Sequence, residues 1–314
     1  MHLLRRAGMR VPNQTVRAHL VSEGHLYDTI ILCRGPSAIQ HLDTVCELAP
    51  QAHVIFDSVD LHSLRLEREA SVTGDAEHVF ETQQHKQAET RLIRETDCTI
   101  VVSEFEQALL AKCVPDAKVF VISNIHLTPG SNVPFDRRKD LLYLGNFFHR
   151  PNVDTIRHLV QDIMPEIWRF LPDIRLHVIG QHDPADIGDL ASDRVLIHGH
   201  VPNIAKWFAR VRLSVAPLRY GAGVKGKIHM SLAHGVPVVT SSVGAEGMHI
   251  ENDVHCLIAD DPLSFADAVR RLYTDRPMWE RFSTAGPRVI AEHFSTDIAE
   301  QKCREMFRFL DERP

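Results

Sequence analysis

The chain has 314 residues, 44% hydrophobic and 24% charged, with a formal charge of −6; this is the makeup of a soluble globular protein long enough for two cores. Its mild acidity argues against a nucleic-acid partner, which needs a basic face, so any anion site must be local. No apolar run reaches the roughly 18 to 20 residues of a membrane span and no signal-peptide core is present, so the expected compartment is the cytoplasm.

In chain order, short apolar runs alternate with amphipathic stretches. TIILC (29–33), AHVIFDS (52–58), CTIVVS (98–103) and KVFVIS (118–123) are β-branched and apolar on both faces, the pattern of buried parallel strands. Between them lie helical segments, the longest around EHVFETQQHKQAETRLIRETD. NIHLTPGSNVPFDRRKD then breaks the periodicity and reads as a linker. A second series follows: DLLYLGN (140–146), a helix from about Asn152 to Phe170, IRLHVIG (174–180), RVLIHGH (194–200), RLSVAPL (212–218), VPVVTSS (236–242) and CLIAD (256–260). Helices close the chain after Pro262, Pro277 and Ser295. Strands alternating with helices imply parallel βαβ units. The expected division is a first domain over 1–125, a linker over 126–139, a second domain over 140–294, and a terminal helix over 295–314 crossing back to the first domain. Ligands of such sheets bind beyond the carboxyl ends of the strands, which directs attention to the cleft between the domains.

Cys33, Cys46, Cys98, Cys113, Cys256 and Cys303 show no CxxC spacing, which argues against zinc and a disulfide framework; they read as buried small hydrophobes. His177, His198 and His200 resemble a cluster, but His198 and His200 point to one face of a strand and neither has a carboxylate or cysteine partner at ligand spacing, so no metal is expected.

RYGAGVKGKIHMSLAHGVPVV sets glycines and lysines between a strand and a helix that Gly235 closes. Gly221, Gly223 and Gly226 permit close backbone approach, and the helix start with Lys225 and Lys227 could hold a diphosphate. The alternative is a surface loop with two solvated lysines. It is not a Walker loop, since GxxxxGK followed by Ser or Thr is absent.

The ordered set LLYLGNFFHRPN, LHVIG, IHGHVPNIAKWFARVRLSVAPLRYGAGVKGKI and GVPVVTSSVGAEGM resembles the nucleotide-sugar-binding half of retaining GT-B glycosyltransferases of the group 1 (family 4) type. The resemblance is densest from Asp140 to Met248 and reaches back weakly to FDSVDLHSLRLERE. It implies an α/β protein of two Rossmann-like domains whose parallel sheets face a central cleft, the acceptor mainly on the first and the sugar nucleotide on the second. No cofactor or metal is implied, because helix dipoles and basic side chains neutralise the diphosphate of the donor substrate.

Carried onto this sequence, the family pattern places Gly145 and Asn146 across the cleft from the diphosphate. Arg150 and Asn152 would lie near the donor, or Asn152 would cap the next helix. His200 and Val201, in HGHVP, match the base-binding turn. Lys225 and Lys227 match phosphate-gripping positions, with Gly223 in their loop and Arg219 a weaker candidate. Ala245, Glu246 and Gly247 match a further donor loop, Glu246 reading otherwise as an exposed acid. On the acceptor side His62 and Asp60 are the catalytic candidates, the alternative being a structural Asp–His pair. The mixed charges Arg65, Glu67, Arg68 and Glu69 beside them read as a solvated helix face.

Two departures stand out. Many members carry paired glutamates where this chain has Met230 and, nearby, Tyr220, so His229 or Ser231 supplies any polar contact or lies in the helix interior. Relatives also open with a strand and glycine loop, whereas MHLLRRAGMRV is expected to start on a later helix and strand, leaving the first domain incomplete. The expected function is metal-independent sugar transfer, hexosyl or deoxyhexosyl, to a glycan or lipid-linked acceptor in bacterial surface-glycan assembly, in the cytoplasm or peripherally at the inner membrane face. The alternatives are a silent module binding nucleotide or a partner protein, and a sugar-nucleotide epimerase.

Overall fold

The computed structural model describes residues 14–74, 77–181 and 184–312. Each apolar run forms a strand, since side chains buried on both faces leave a parallel ladder as the way to pair the backbone; TIILC departs from the expected burial, with Ile31 and Cys33 exposed at the sheet edge. The first sheet holds β1 (Thr29–Cys33), β2 (His53–Asp57), β3 (Cys98–Val101) and β4 (Val119–Val121), parallel and in sequential order. Cys33 pairs with Asp57 and Asp57 with Ile100, so their carboxyl ends are level.

The second sheet holds β5 (Leu141–Leu144), β6 (Leu176–Ile179), β7 (Val195–Ile197), β8 (Leu213–Ala216), β9 (Val238–Thr240) and β10 (Leu257–Ile258) in the order β10-β9-β8-β5-β6-β7, all parallel. From β5 the chain winds outward to β7, returns to β8 on the other side of β5, and winds outward again. The order therefore reverses between β5 and β8, and the loops leaving these two strands diverge to opposite faces, opening a crevice at their carboxyl ends. Period-two alternation divides β5 between two cores: Leu141 and Tyr143 pack with Ile156, Met164 and Phe282, while Leu142 and Leu144 pack with Phe208, Val211 and Val236.

The helix expected over Asn152–Phe170 is present as Arg150–His158, a π-helical turn Leu159–Ile163, and Met164–Phe170. Pro165 has no N–H for the preceding turn, and the widened turn accommodates its ring. The linker is anchored rather than free. Arg138 is fully buried, with Nη1 donating to the carbonyls of Phe208 and Val211, and burial pushes its pKa down to about 10. The helix Thr296–Asp311 lies against the first sheet, where Met306 and Leu310 cover Ile55, Cys98 and Ile100. The cysteine expectation is corrected: Cys98 and Cys256 are buried, but Cys33, Cys46 and Cys113 are exposed. Cys33 ends β1, the outermost described strand of its sheet, where no further neighbour covers it among the described residues. Among the described residues no helix is long and apolar enough to cross a membrane.

Candidate functional site in the interdomain cleft

The loop after β8 forms the floor of the crevice. Gly223 has φ +66°, and a Cβ there would lie 3.2 Å from Asp60 Cβ and 3.4 Å from the Val59 carbonyl, so glycine lets the first domain come against this loop. Lys225 follows, 6% exposed, and its Nζ donates to the Gly223 carbonyl at 2.8 Å. Burial pushes its pKa down to about 8, Glu246 opposes the shift and Arg68 adds to it. The helix Gly226–Ala233 begins at the next residue. Lys227 is half-buried; its Nζ donates to the Tyr143 hydroxyl at 3.0 Å and to Asn152 Oδ1 at 2.5 Å, above the Tyr143 ring. Burial, then the neighbouring Lys225, bring its pKa to about 7. Among the described residues neither ammonium has a carboxylate within ion-pair distance.

The turn after β5 forms the adjoining wall. Gly145 N–H donates to the Ile179 carbonyl at 3.1 Å, and Gly180 packs so closely that a Cβ on it would fall 1.5 Å from the Gly145 oxygen. Asn152 is not the cap of the next helix, a position held by His149. It lies in the first turn, 9% exposed, with Nδ2 donating to the Asn146 carbonyl at 2.8 Å, so its amide joins the Gly145–Asn146 turn to Lys227.

The first domain supplies the opposite wall. Past β2 the chain turns through Val59, at φ +63°, to Asp60 and the helix His62–Thr73. Arg65 is the centre of this wall: Nη1 donates to Asp60 Oδ2 at 2.5 Å and Nη2 to His62 Nδ1 at 2.5 Å, while Nη1 also reaches His149 Nε2 at 3.2 Å across the cleft. Burial, then Arg65 and His85, push His62 down to about 4, so its ring is neutral and accepts. Two buried acids brace the loop from beneath. Glu89 accepts from His62 N–H at 2.7 Å and Ser63 Oγ at 2.5 Å, and Glu106 accepts from the N–H groups of Leu61 and Val102, both at 3.3 Å. Burial raises the pKa of each.

The reading of LRLERE as a solvated face is corrected for three of its four charges. Besides Arg65, Arg68 makes a two-point pair with Glu246 at 2.8 Å on each oxygen and donates to the Gly221 carbonyl at 2.8 Å. Glu69 is buried and accepts from the Tyr220 hydroxyl at 3.3 Å, with Arg150 Nη1 at 3.8 Å. Only Glu67 is exposed as expected. The signal was in the spacing: Arg65 and Glu69 lie three and seven residues after His62, on the same helix face.

Two sheets across such a cleft invite comparison with solved structures. HepE from Anabaena, in complex with UDP and glucose, is similar with a TM-score of 0.75 at 14% identity, over 99% of this chain and 89% of that one. Sucrose-phosphate synthase from Thermosynechococcus elongatus gives 0.73 at 18% identity, over 96% and 80%. A mutant TarM from S. aureus, in complex with Fondaparinux, alpha-GlcNAc-glycerol and UDP, gives 0.70 at 15% identity, over 88% and 55%. The fold is GT-B. Residues 138–275, from the end of the linker through β10 and the helix after it, match the family model described as Glycosyl transferases group 1, in keeping with the resemblance carried by the motifs. This GT-B chain spans little more than half the length of the TarM chains it resembles. No curated protein sequence matches it.

Within the GT-B cleft the remaining candidates are spread unevenly. Gly223 meets Asp60 across the cleft, Lys227 joins the Gly145–Asn146 turn through Asn152, and Glu246 pairs with Arg68 of the first domain. Gly247, at φ +70°, packs against Ser103, where a Cβ would come within 2.7 Å of the Ser103 Cβ; Ala245 ends the turn before it. Arg150 is largely exposed at the rim, its side chain 71% accessible. Arg219 pairs with Asp154 instead of facing the lysines. His200 is exposed, while Val201 packs with Trp207 and Met230 in the apolar cluster under β5 and β6. Met230 thus lies in an apolar setting, and His229 and Ser231 are buried, the serine bonding Ser214 and the Lys227 carbonyl. His177 meets Asp140 Oδ2 at 3.4 Å and His198 at 3.0 Å. Among the described residues, no group of three or more His, Cys, Asp or Glu is placed to hold a metal.

Proposed function

We propose that the chain is a glycosyltransferase that moves a hexosyl or deoxyhexosyl group from a nucleoside-diphosphate sugar to a glycan or lipid-linked acceptor. The observation that carries this reading is the pair Lys225 and Lys227: two ammonium groups drawn below their ordinary range at the floor of the cleft, held by neutral oxygens with no carboxylate in ion-pair distance among the described residues. A diphosphate supplies that charge, and the N–H groups at the start of Gly226–Ala233 add their dipoles. As the bond to the sugar breaks, charge grows on the leaving phosphate, and preorganised cations in a water-poor cleft stabilise it without a metal. Asp60, His62 and Arg65 line the other wall, where an acceptor hydroxyl would be oriented. Transfer proceeds with retention, the phosphate leaving and the hydroxyl arriving on one face of the sugar.

The group 1 match over the second domain and the UDP named in the HepE and TarM structures support a nucleotide-sugar donor. We place the reaction in bacterial surface polysaccharide assembly, in the cytoplasm and at the inner membrane face where lipid-linked acceptors lie. The test is calorimetric titration of the chain with UDP, GDP and dTDP, wild type against Lys225→Ala/Lys227→Ala. Micromolar binding of one nucleotide, lost in the double variant, is expected. No heat from any of the three, with a folded chain, would favour the silent-module reading.

A further inference from the structure

Two carboxylates act on Lys225 from nearby, Glu246 and Glu106. Glu106 is committed to backbone, its oxygens accepting from Leu61 and Val102. Glu246 is different: it stands on an irregular turn of the same domain as the lysine, and a carboxylate on such a turn is the natural partner of a buried ammonium. Yet both of its oxygens are turned to Arg68 of the other domain, at 2.8 Å each. Arg68 is itself fixed, Nη1 donating to the Gly221 carbonyl at 2.8 Å and the guanidinium lying 5.5 Å from the centre of the Phe105 ring. A planar fork matches a carboxylate at two points, whereas an ammonium offers a single point charge, so the arginine wins the competition.

We propose that Arg68 is a positioning residue for the anion site: by holding Glu246 in a two-point pair it keeps that carboxylate off Lys225 and leaves the ammonium open to a phosphate. The inference rests on the nucleotide-sugar reading for its purpose. It also makes the quality of the anion site depend on closure, since separating the domains withdraws Arg68 and frees Glu246 to turn inward and occupy the lysine.

The experiment uses the full chain and two readouts. The first needs no ligand: the titration of Lys225 is followed by NMR with side-chain-labelled lysine, assigned with Lys225→Arg. In Arg68→Met the Lys225 titration is expected to rise by about one pH unit as Glu246 moves to it, and to return in Arg68→Met/Glu246→Gln. The second readout is calorimetry with UDP. Arg68→Met is expected to bind it about tenfold more weakly, and the double variant to recover most of that loss. Glu246→Gln alone breaks the same ion pair but is expected to weaken UDP binding several-fold less than Arg68→Met does. A structural role for the pair predicts equal losses from Arg68→Met and Glu246→Gln, and a direct Arg68–phosphate contact predicts no recovery in the double variant; either result overturns the inference. Should Arg68→Met fold poorly, Arg68→Lys keeps the charge without the fork and is expected to shift both readouts in the same direction by less. If UDP, GDP and dTDP all fail to bind wild type, the nucleotide-sugar reading falls, while the Lys225 titration in Arg68→Lys, which keeps the charge that itself lowers Lys225, still decides whether the Arg68 fork holds Glu246 away.

Discussion

Lys227 and Asn152 meet at 2.5 Å across the point where the two halves of the second sheet part. The amide has one orientation available: Nδ2 is bound to the Asn146 carbonyl, so Oδ1 faces the lysine. A neutral oxygen fixes the ammonium without cancelling its charge. Replacing it with an acid changes the charge while keeping the shape. Asn152→Asp is therefore expected to weaken UDP binding by about tenfold, about 1.4 kcal/mol. Calorimetry at pH 7 checks it, and undiminished affinity would show that Lys227 does not meet the phosphates.

The depressed lysines give two pH dependences with a common origin. In the free protein Lys227 sits at about 7 and Lys225 at about 8, against about 10.4 when unfolded. Between roughly pH 7 and 10 the unfolded chain binds protons that the folded chain does not, so these groups make stability rise with pH over that window. The difference in stability between wild type and Lys227→Met, followed by denaturant titration, isolates this slope. Nucleotide affinity runs the other way. It is expected to be highest below about pH 7 and to fall as the ammonium groups lose their protons, and a flat profile from pH 6 to 9 would contradict the assignment.

His62 is held at about 4 by burial first and by the Arg65 charge second. It is thus neutral through the whole range in which the protein would work. Arg65→Met removes the charge and the hydrogen bond to Nδ1, and the His62 titration is expected to move up by about one unit toward its ordinary value. An unchanged titration in the imidazole NMR spectrum would mean that burial alone sets it.

Gly180 fits where a larger residue cannot, at φ +150° with the Gly145 carbonyl in the space of its missing side chain. Gly180→Ala is expected to cost at least about 3 kcal/mol, since either β6 or the Gly145 turn must move. Thermal denaturation reads the loss. A nucleotide affinity that falls with it would place the strain at the site and not elsewhere.

The ten strands were legible because a buried parallel strand must be apolar on both faces, and every run but TIILC overshoots the end of its strand by one to three residues, as with AHVIFDS for His53–Asp57. The loops after β5 and β8 were legible for a related reason: Gly145, Gly223, Lys225 and Lys227 form local motifs read within a few residues. The opposite wall was not. Arg65, Arg68 and Glu69 carry the charge pattern of a solvent-facing helix, and an interdomain face buries the same residue types by pairing them with partners far away in sequence, here His149, Glu246 and Tyr220. Asn152 has the chemistry of a cap, and its actual place one turn inward depends on Lys227, which lies on another helix. Nothing local marks Glu89 or Glu106 as braces of this loop, since Glu89 accepts from His62 and Ser63 and Glu106 from Leu61, all far away in sequence.

The helix Thr296–Asp311 covers the first sheet, with Met306 and Leu310 on Ile55, Cys98 and Ile100. That arrangement sets an order of events during synthesis. The strands of the first sheet leave the ribosome long before their lid is made, and one apolar face stays bare while the whole second domain is translated. The domain that is written first is the one completed last.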